Sequence, residues 1–266
     1  MPNAKQRQAN EAGLVPGLSD AISRFDDSCK SVIQLRDFDQ LLMHVVVDLF
    51  TNMQSKFAQA TPNGTLKAVE NAHRTLIAIK DNESLGPHYE SIHNQCIVLL
   101  VSHFTSALKE MLVRFFDIAL LDHRFERLGK QDFKLSVSEL REASSDSSRS
   151  YGDIFLSKRD VSFQNLESID RLFRDSFGVS IEKDPKVQDL ILAMEARHCI
   201  VHSGSKVERK TAQHLRAAPD RSIKPHLSEG DRITFTKDEI NLVLDRMKDY
   251  LNGLSHKIAT LAYTQL

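Results

Sequence analysis

From His88 to Leu128 the chain runs without a glycine or a proline, and in the stretch ESIHNQCIVLLVSHFTSALKEMLVRFFDIALLDHRF apolar residues fall on most sides of a helical projection. A helix that is apolar nearly all round has to be enclosed by other elements, so this segment predicts the central helix of a bundle. The rest of the chain offers helices to enclose it. Ile22, Phe25, Cys29, Val32, Leu42, Val45, Leu49 and Met53 form a stripe that predicts a helix from about Leu18 to Phe57, closed near Pro62 to Gly64 by turn chemistry. A shorter helix is expected between Leu66 and Ile79, another over SFQNLESIDRLFRDSFG with Gly178 as its C-terminal cap, and another over VQDLILAMEARHCIVHSG closed by Gly204. DRITFT, Asp231 to Thr236, alternates as a short strand would, and KDEINLVLDRMKDYLNGLSHKIATLAY returns to helix with Asp238 and Glu239 at its positive end. The serine-rich segment Arg141 to Asp153 lacks periodicity and is expected to be a mobile connection. The fold class is therefore all-α, a helical bundle with long antiparallel helices and a minor β element near 231–236.

Composition narrows the function classes. With 266 residues, 41% apolar and 27% charged, the chain can bury a real core as one domain. Its apolar runs are shorter than the roughly 20 residues of a spanning helix, and its first residues, MPNAKQRQANEAG, are polar, so no membrane segment or secretory signal is expected. Three widely spaced cysteines, Cys29, Cys96 and Cys199, suit buried thiols in a reducing compartment, and the expected location is cytoplasmic. A formal charge of -1 argues against bulk attraction to nucleic acid but leaves room for a local patch. Between Lys206 and His226 stand six Lys or Arg and two acids, a balance of +4, with no Phe, Tyr or Trp to stack a base.

The stretch EARHCIVHSG, Glu195 to Gly204, departs from its helix. At 100° per residue Arg197 falls about 40° from Val201 and inside the stripe of Val187, Leu190, Met194 and Val201, while His198 and His202 sit one turn apart on its flank. A guanidinium stays charged, so on an apolar face it must be paired, reach out along its stem, or face a second chain. The plainer reading is a tethered arginine with ordinary polar neighbours. The functional reading needs Arg197 and His202 to converge, and in an ideal helix their Cβ atoms lie on the order of 10 Å apart. Gly204 is placed to unwind the last turn and let His202 swing toward the arginine. A phosphodiester between them would meet an imidazole able to move protons near neutral pH and a planar cation shaped for its oxygens.

RHCIVH, Arg197 to His202, resembles the signature of the HEPN superfamily, an arginine, a polar residue and a histidine after four to six intervening positions. Val161 to Ile181 upstream and Gly230 to Leu254 downstream resemble the flanks in the RiboL-PSP type of HEPN nuclease, and the likeness extends from about residue 86 to 260. It implies a single helical domain with residues 1–85 as an N-terminal extension and 86–264 as the HEPN core. It further implies a homodimer that joins two motifs in one cleft, and metal-independent cleavage of RNA leaving a 2′,3′-cyclic end, with neither cofactor nor metal. By the same resemblance His202 transfers a proton or orients the scissile phosphate, Arg197 stabilises the phosphorane, and His198 positions substrate or its partner histidine. A toxin or an antiviral abortive-infection effector would fit, with a cognate antitoxin or regulatory partner to restrain it. The different-class alternative is a non-catalytic HEPN module that binds a nucleotide or a regulatory protein. Two positions depart from relatives: Gly204 stands where one branch has a tyrosine, and Thr105 follows Phe104 where a glutamate is common, which leaves Glu110 or Glu195 as the acid to orient Arg197.

Lys206, Arg209 and Lys210, just past the motif, are the expected RNA-backbone contacts, giving salt-dependent affinity with little sequence readout. Rival sites are weaker. His198 and His202 with Cys199 and Glu195 have zinc-like spacing, but Cys199 points about 100° from His198 and no third ligand cluster is evident. His103, and His93 with Cys96, read as core polar groups. No Gly-rich phosphate loop or nucleophile elbow is present.

Overall fold

A computed structural model describes residues 4–60, 63–80, 86–121, 136–138, 150–159, 162–163, 165–180, 184–216 and 220–264. Within them the chain forms α1 (Ala4–Ala60), α2 (Asn63–Lys80), α3 (Gly86–Leu121), α4 (Tyr151–Arg159), α5 (Leu166–Phe177), α6 (Pro185–His202), α7 (Arg209–Arg216) and α8 (Lys237–Thr264). They pack as an all-α bundle, and the described residues include no strand.

α3 is the axis, as its composition predicts. Cys96, Ile97, Leu100, Phe104, Leu108, Met111, Leu112, Phe115 and Phe116 are fully enclosed, and α1, α4, α6 and α8 all pack against it. By length and composition α3 is also apolar enough to cross a membrane, with mean hydropathy 1.6 over its best 18-residue window, more than its short apolar runs suggest. Half of that window is buried inside the bundle, which is what a central core helix requires. Aromatic edges knit the neighbours together: Phe104 meets Phe25 of α1 at 6.3 Å and Tyr250 of α8 at 5.6 Å, both edge-on, while Phe116 stacks on Phe155 of α4 at 4.3 Å. All three cysteines are buried and free.

α1 starts earlier than its stripe predicts and behaves as two halves. Leu18, Ala21, Phe25, Cys29, Val32 and Arg36 are buried at three- and four-residue spacing. Beyond Arg36 no described side chain of α1 is buried, and α2 is the helix that lies along it, with Thr51 Oγ1 3.0 Å from His73 Nε2. The end of the predicted central helix after Leu121, and residues 141–149 of the serine-rich connection, lie outside the described residues. The last part of that connection is helical instead, because α4 begins at Tyr151. Asp117 Oδ1 accepts from the Gly152 N–H at 2.8 Å, and Ser150 caps the turn.

The strand expected over Asp231 to Thr236 does not form. A single antiparallel bridge joins Lys206 and Arg232. The alternation has a different cause: Ile233 and Phe235 insert into the core, and their carbonyls accept from α3 rather than from a neighbouring strand. Asn94 Nδ2 donates to Ile233 O at 3.1 Å, and His93 Nδ1 lies 2.9 Å from Phe235 O. His93, which reads as a plain core polar group, and its neighbour Asn94 therefore peg this extended segment. α8 then opens on a reciprocal capping box, with Thr236 N donating to Glu239 Oε2 at 2.9 Å and Glu239 N to Thr236 Oγ1 at 3.2 Å.

Candidate functional site

α6 carries the RHCIVH segment and is held at both ends. Asp184 caps it by accepting from Val187 N at 2.8 Å, with Pro185 in the first turn, and Leu190, Leu192, Ala193, Ala196 and Cys199 bury its inner face. In mid-helix Asp189 is fully buried. Its Oδ1 accepts from the N–H groups of Ser222 and Ile223 at 2.8 and 2.9 Å, and Arg246 Nε of α8 lies 3.6 Å from Oδ2. That carboxylate locks the segment after α7 onto α6.

At the other end the chain reverses sharply. Gly204 and Ser205 adopt left-handed φ values of 58° and 66°, and the N–H groups of Ser203 and Ser205 both bond Cys199 O, at 2.9 and 3.0 Å. The helix stays intact through His202, so Gly204 does not unwind its last turn, and the swing of His202 toward Arg197 is not seen. His202 instead rests against His198, the ring centroids 4.9 Å apart and tilted by 47°.

The reversal brings α7 back alongside α6 and leaves an open cleft of about 380 Å³ between them and the neighbouring parts of α3 and α5. Arg197 and His198 line it, together with Glu195, Lys210, Thr211 and His214; His202 does not. Arg197 is partly exposed and forms no hydrogen bond or ion pair among the described residues. Neither acid expected to orient it does so. Glu110 pairs with Arg24 of α1 instead, and Glu195 accepts from His214, Nδ1 to Oε1 at 3.0 Å. Thr105 lines the cleft, but its hydroxyl donates to Ser102 O within its own helix at 3.0 Å.

The Glu195–His214 pair is what sequence reasoning missed. The two are 19 positions apart, and they meet only because the chain turns back at Gly204 and Ser205. The arrangement is chemically useful: a carboxylate holding Nδ1 leaves Nε2 of the imidazole facing outward to exchange a proton or bind an oxyanion. Cys199 is sealed in the interior with its thiol 3.5 Å from Thr211 Oγ1, so it points away from both exposed histidines. Among the described residues no three His, Cys, Asp or Glu side chains gather as a metal-binding group.

The basic window after the motif divides in two. Lys206, Arg209 and Lys210 are exposed, and Lys210 borders the cleft. Arg221 is buried and donates to the carbonyls of Leu215, Lys224 and Pro225, and burial lowers its pKa. Lys224 is tied to Glu239 at 2.9 Å and lies 5.3 Å over the Phe235 ring. Two of the six cations thus hold the loop together, and the surface patch is smaller than the sequence count implies.

Fold and site together define an all-α bundle with an open, cation-bearing cleft on one side. Compared with family models, with curated proteins and with solved structures, the chain matches none of them.

Proposed function

We propose that the protein is a metal-independent endoribonuclease of the HEPN type, acting as a homodimer in which two copies of the Arg197 motif face one RNA strand. The observation that carries this reading is Arg197 itself: a guanidinium with no carboxylate partner among the described residues, on the wall of an open cleft, beside two histidines whose rings touch. Such a cation is a site for an anion, and its planar fork matches two phosphate oxygens. In the proposed reaction the ribose 2′-hydroxyl gives its proton to an imidazole and attacks the adjacent phosphorus. The new O–P bond forms as the bond to the 5′-oxygen breaks, and an imidazolium returns a proton to that leaving oxygen. His202 and His198 supply the imidazole on α6, with the Glu195-held His214 as a further proton carrier across the cleft. Arg197 stabilises the charge that builds on the phosphorane. Lys206, Arg209 and Lys210 hold flanking phosphates. A toxin or antiviral effector with a cognate inhibitor is the biological setting that suits such an activity.

A second reading has an observation of its own. His202 is turned out of the cleft, and the cleft lies within one subunit, which suits a module that holds a nucleotide without cutting RNA. Purified protein incubated with RNA in the presence of a chelator separates the two. The nuclease reading expects cleavage to 2′,3′-cyclic ends, with rates lowered about 100-fold or more in Arg197→Ala and His202→Ala. Equal cleavage by all three rejects the assigned site. No cleavage by the wild type, with nucleotide binding that Arg197→Ala abolishes, favours the module.

A further inference from the structure

The outer half of α1 carries an apolar seam that no other described element covers. Leu35, Phe38, Leu42, Val45 and Leu49 follow one another at intervals of three, four, three and four residues, with Leu41 beside them, and each is 51–64% exposed. That spacing is the a/d repeat of a coiled coil, which keeps one face of a helix turned toward a partner helix. α2 does not fill the role. The half-buried side chains of this part of α1, Met43, Val46, Val47 and Phe50, lie about a third of a turn away from the seam.

We infer that the seam pairs with the same seam of a second copy of this chain, joining two molecules through their projecting α1 segments. Three considerations select a second copy. Six large side chains more than half exposed present on the order of 600 Å² of apolar surface, the upper end of what a lone molecule leaves in one patch. Doubled across a two-fold axis this is about 1,200 Å², the lower bound for a stable interface. The seam positions themselves carry no charge, so a strongly acidic or basic partner gains nothing there, whereas an a/d row is complementary to itself. Residues 35–49 contain one basic residue, Arg36, against Asp37, Asp39 and Asp48, a local balance of -2 that opposes docking on an anionic lipid surface. This contact is the one that joins the two copies of the homodimer proposed above, the cleft walls adding no stable contact of their own, and it stands whether or not that cleft cuts RNA.

Sedimentation equilibrium of the full chain at micromolar concentrations tests it. The wild type is expected to be a dimer, and Leu42→Lys with Leu49→Lys a monomer with unchanged helical circular dichroism, since both side chains lie on the surface. Val201→Lys, which changes an exposed apolar residue of α6 beside the histidines, is expected to leave the dimer intact. A monomeric wild type overturns the inference. So does a dimer that survives the paired lysines, and one dissolved by Val201→Lys alone places the contact on the exposed face of α6 beside the histidines instead. If the paired lysines disturb folding, the milder Leu42→Ser with Leu49→Ser carries the same expectation as a weakened dimer.

Discussion

Arg36 is almost wholly enclosed, and its bonds show how a buried guanidinium is made tolerable. Nε and Nη2 each donate to Asp37 at 2.9 Å, and Nη1 donates to Asn241 Oδ1 at 2.6 Å. The Arg36 bond, with Lys237 assisting at 2.9 Å, holds the Asp37 carboxyl down to about 2 against the opposing effect of its partial burial. A carboxyl lowered in the folded state stabilises the fold fully above the ordinary carboxylate range, and that contribution is lost as pH falls from about 4 to about 2. Asp37 is partly exposed, so solvent screening discounts the gain. Asp37→Asn is expected to cost about 1 kcal/mol in urea unfolding at neutral pH, with the gap to wild type closing as the pH approaches 2. At the same scale, the odd placement of Arg197 was legible, because helical geometry alone sets it in an apolar stripe. The partners of Glu195 and Glu110 were not. They depend on the turn at Gly204 and on the packing of α1, and neither of these is local to the residues concerned.

Among the elements, α4 crosses α3 at a spacing that only glycine permits. A Cβ on Gly152 would sit 2.6 Å from Val113 O and 2.8 Å from Val113 Cα, and these are backbone atoms that cannot rotate aside. Gly152→Ala should therefore separate the two helices, loosening the Phe116–Phe155 stack and the bond from Gly152 N to Asp117. A loss of about 2 kcal/mol is expected, read as a lower denaturation midpoint with an unchanged slope. Helices declared themselves well in the sequence: α3 through its apolar circumference, α5 through Gly178, whose φ of 76° places its N–H 2.9 Å from Arg174 O. The segment 231–236 misled for a physical reason. Two-residue alternation records which side chains are buried, and an extended chain pegged by His93 and Asn94 buries every second residue as a strand does.

For the molecule as a whole, a formal charge of -1 means that any hold on RNA comes from a few cations rather than from a general field. Lys206, Arg209 and Lys210 remain on the surface, while Arg221 and Lys224 are committed to the loop. Replacing all three exposed cations by glutamine is expected to flatten the dependence of single-stranded RNA affinity on salt, lowering the log–log slope by about 2 in filter-binding titrations. An unchanged slope would remove these residues from the RNA path. The bundle was legible at this scale and the cleft was not, because its walls come from α3, α5, α6 and α7, elements far apart along the chain. The interior thiols have a practical consequence. Cys29, its thiol pushed up to about 12 by burial, Cys96, raised for the same reason, and Cys199 are all shielded from reagents. A single cysteine introduced on the surface would therefore take a maleimide dye or a spin label alone, and the native chain can serve unaltered as the background for distance measurements on either of its faces.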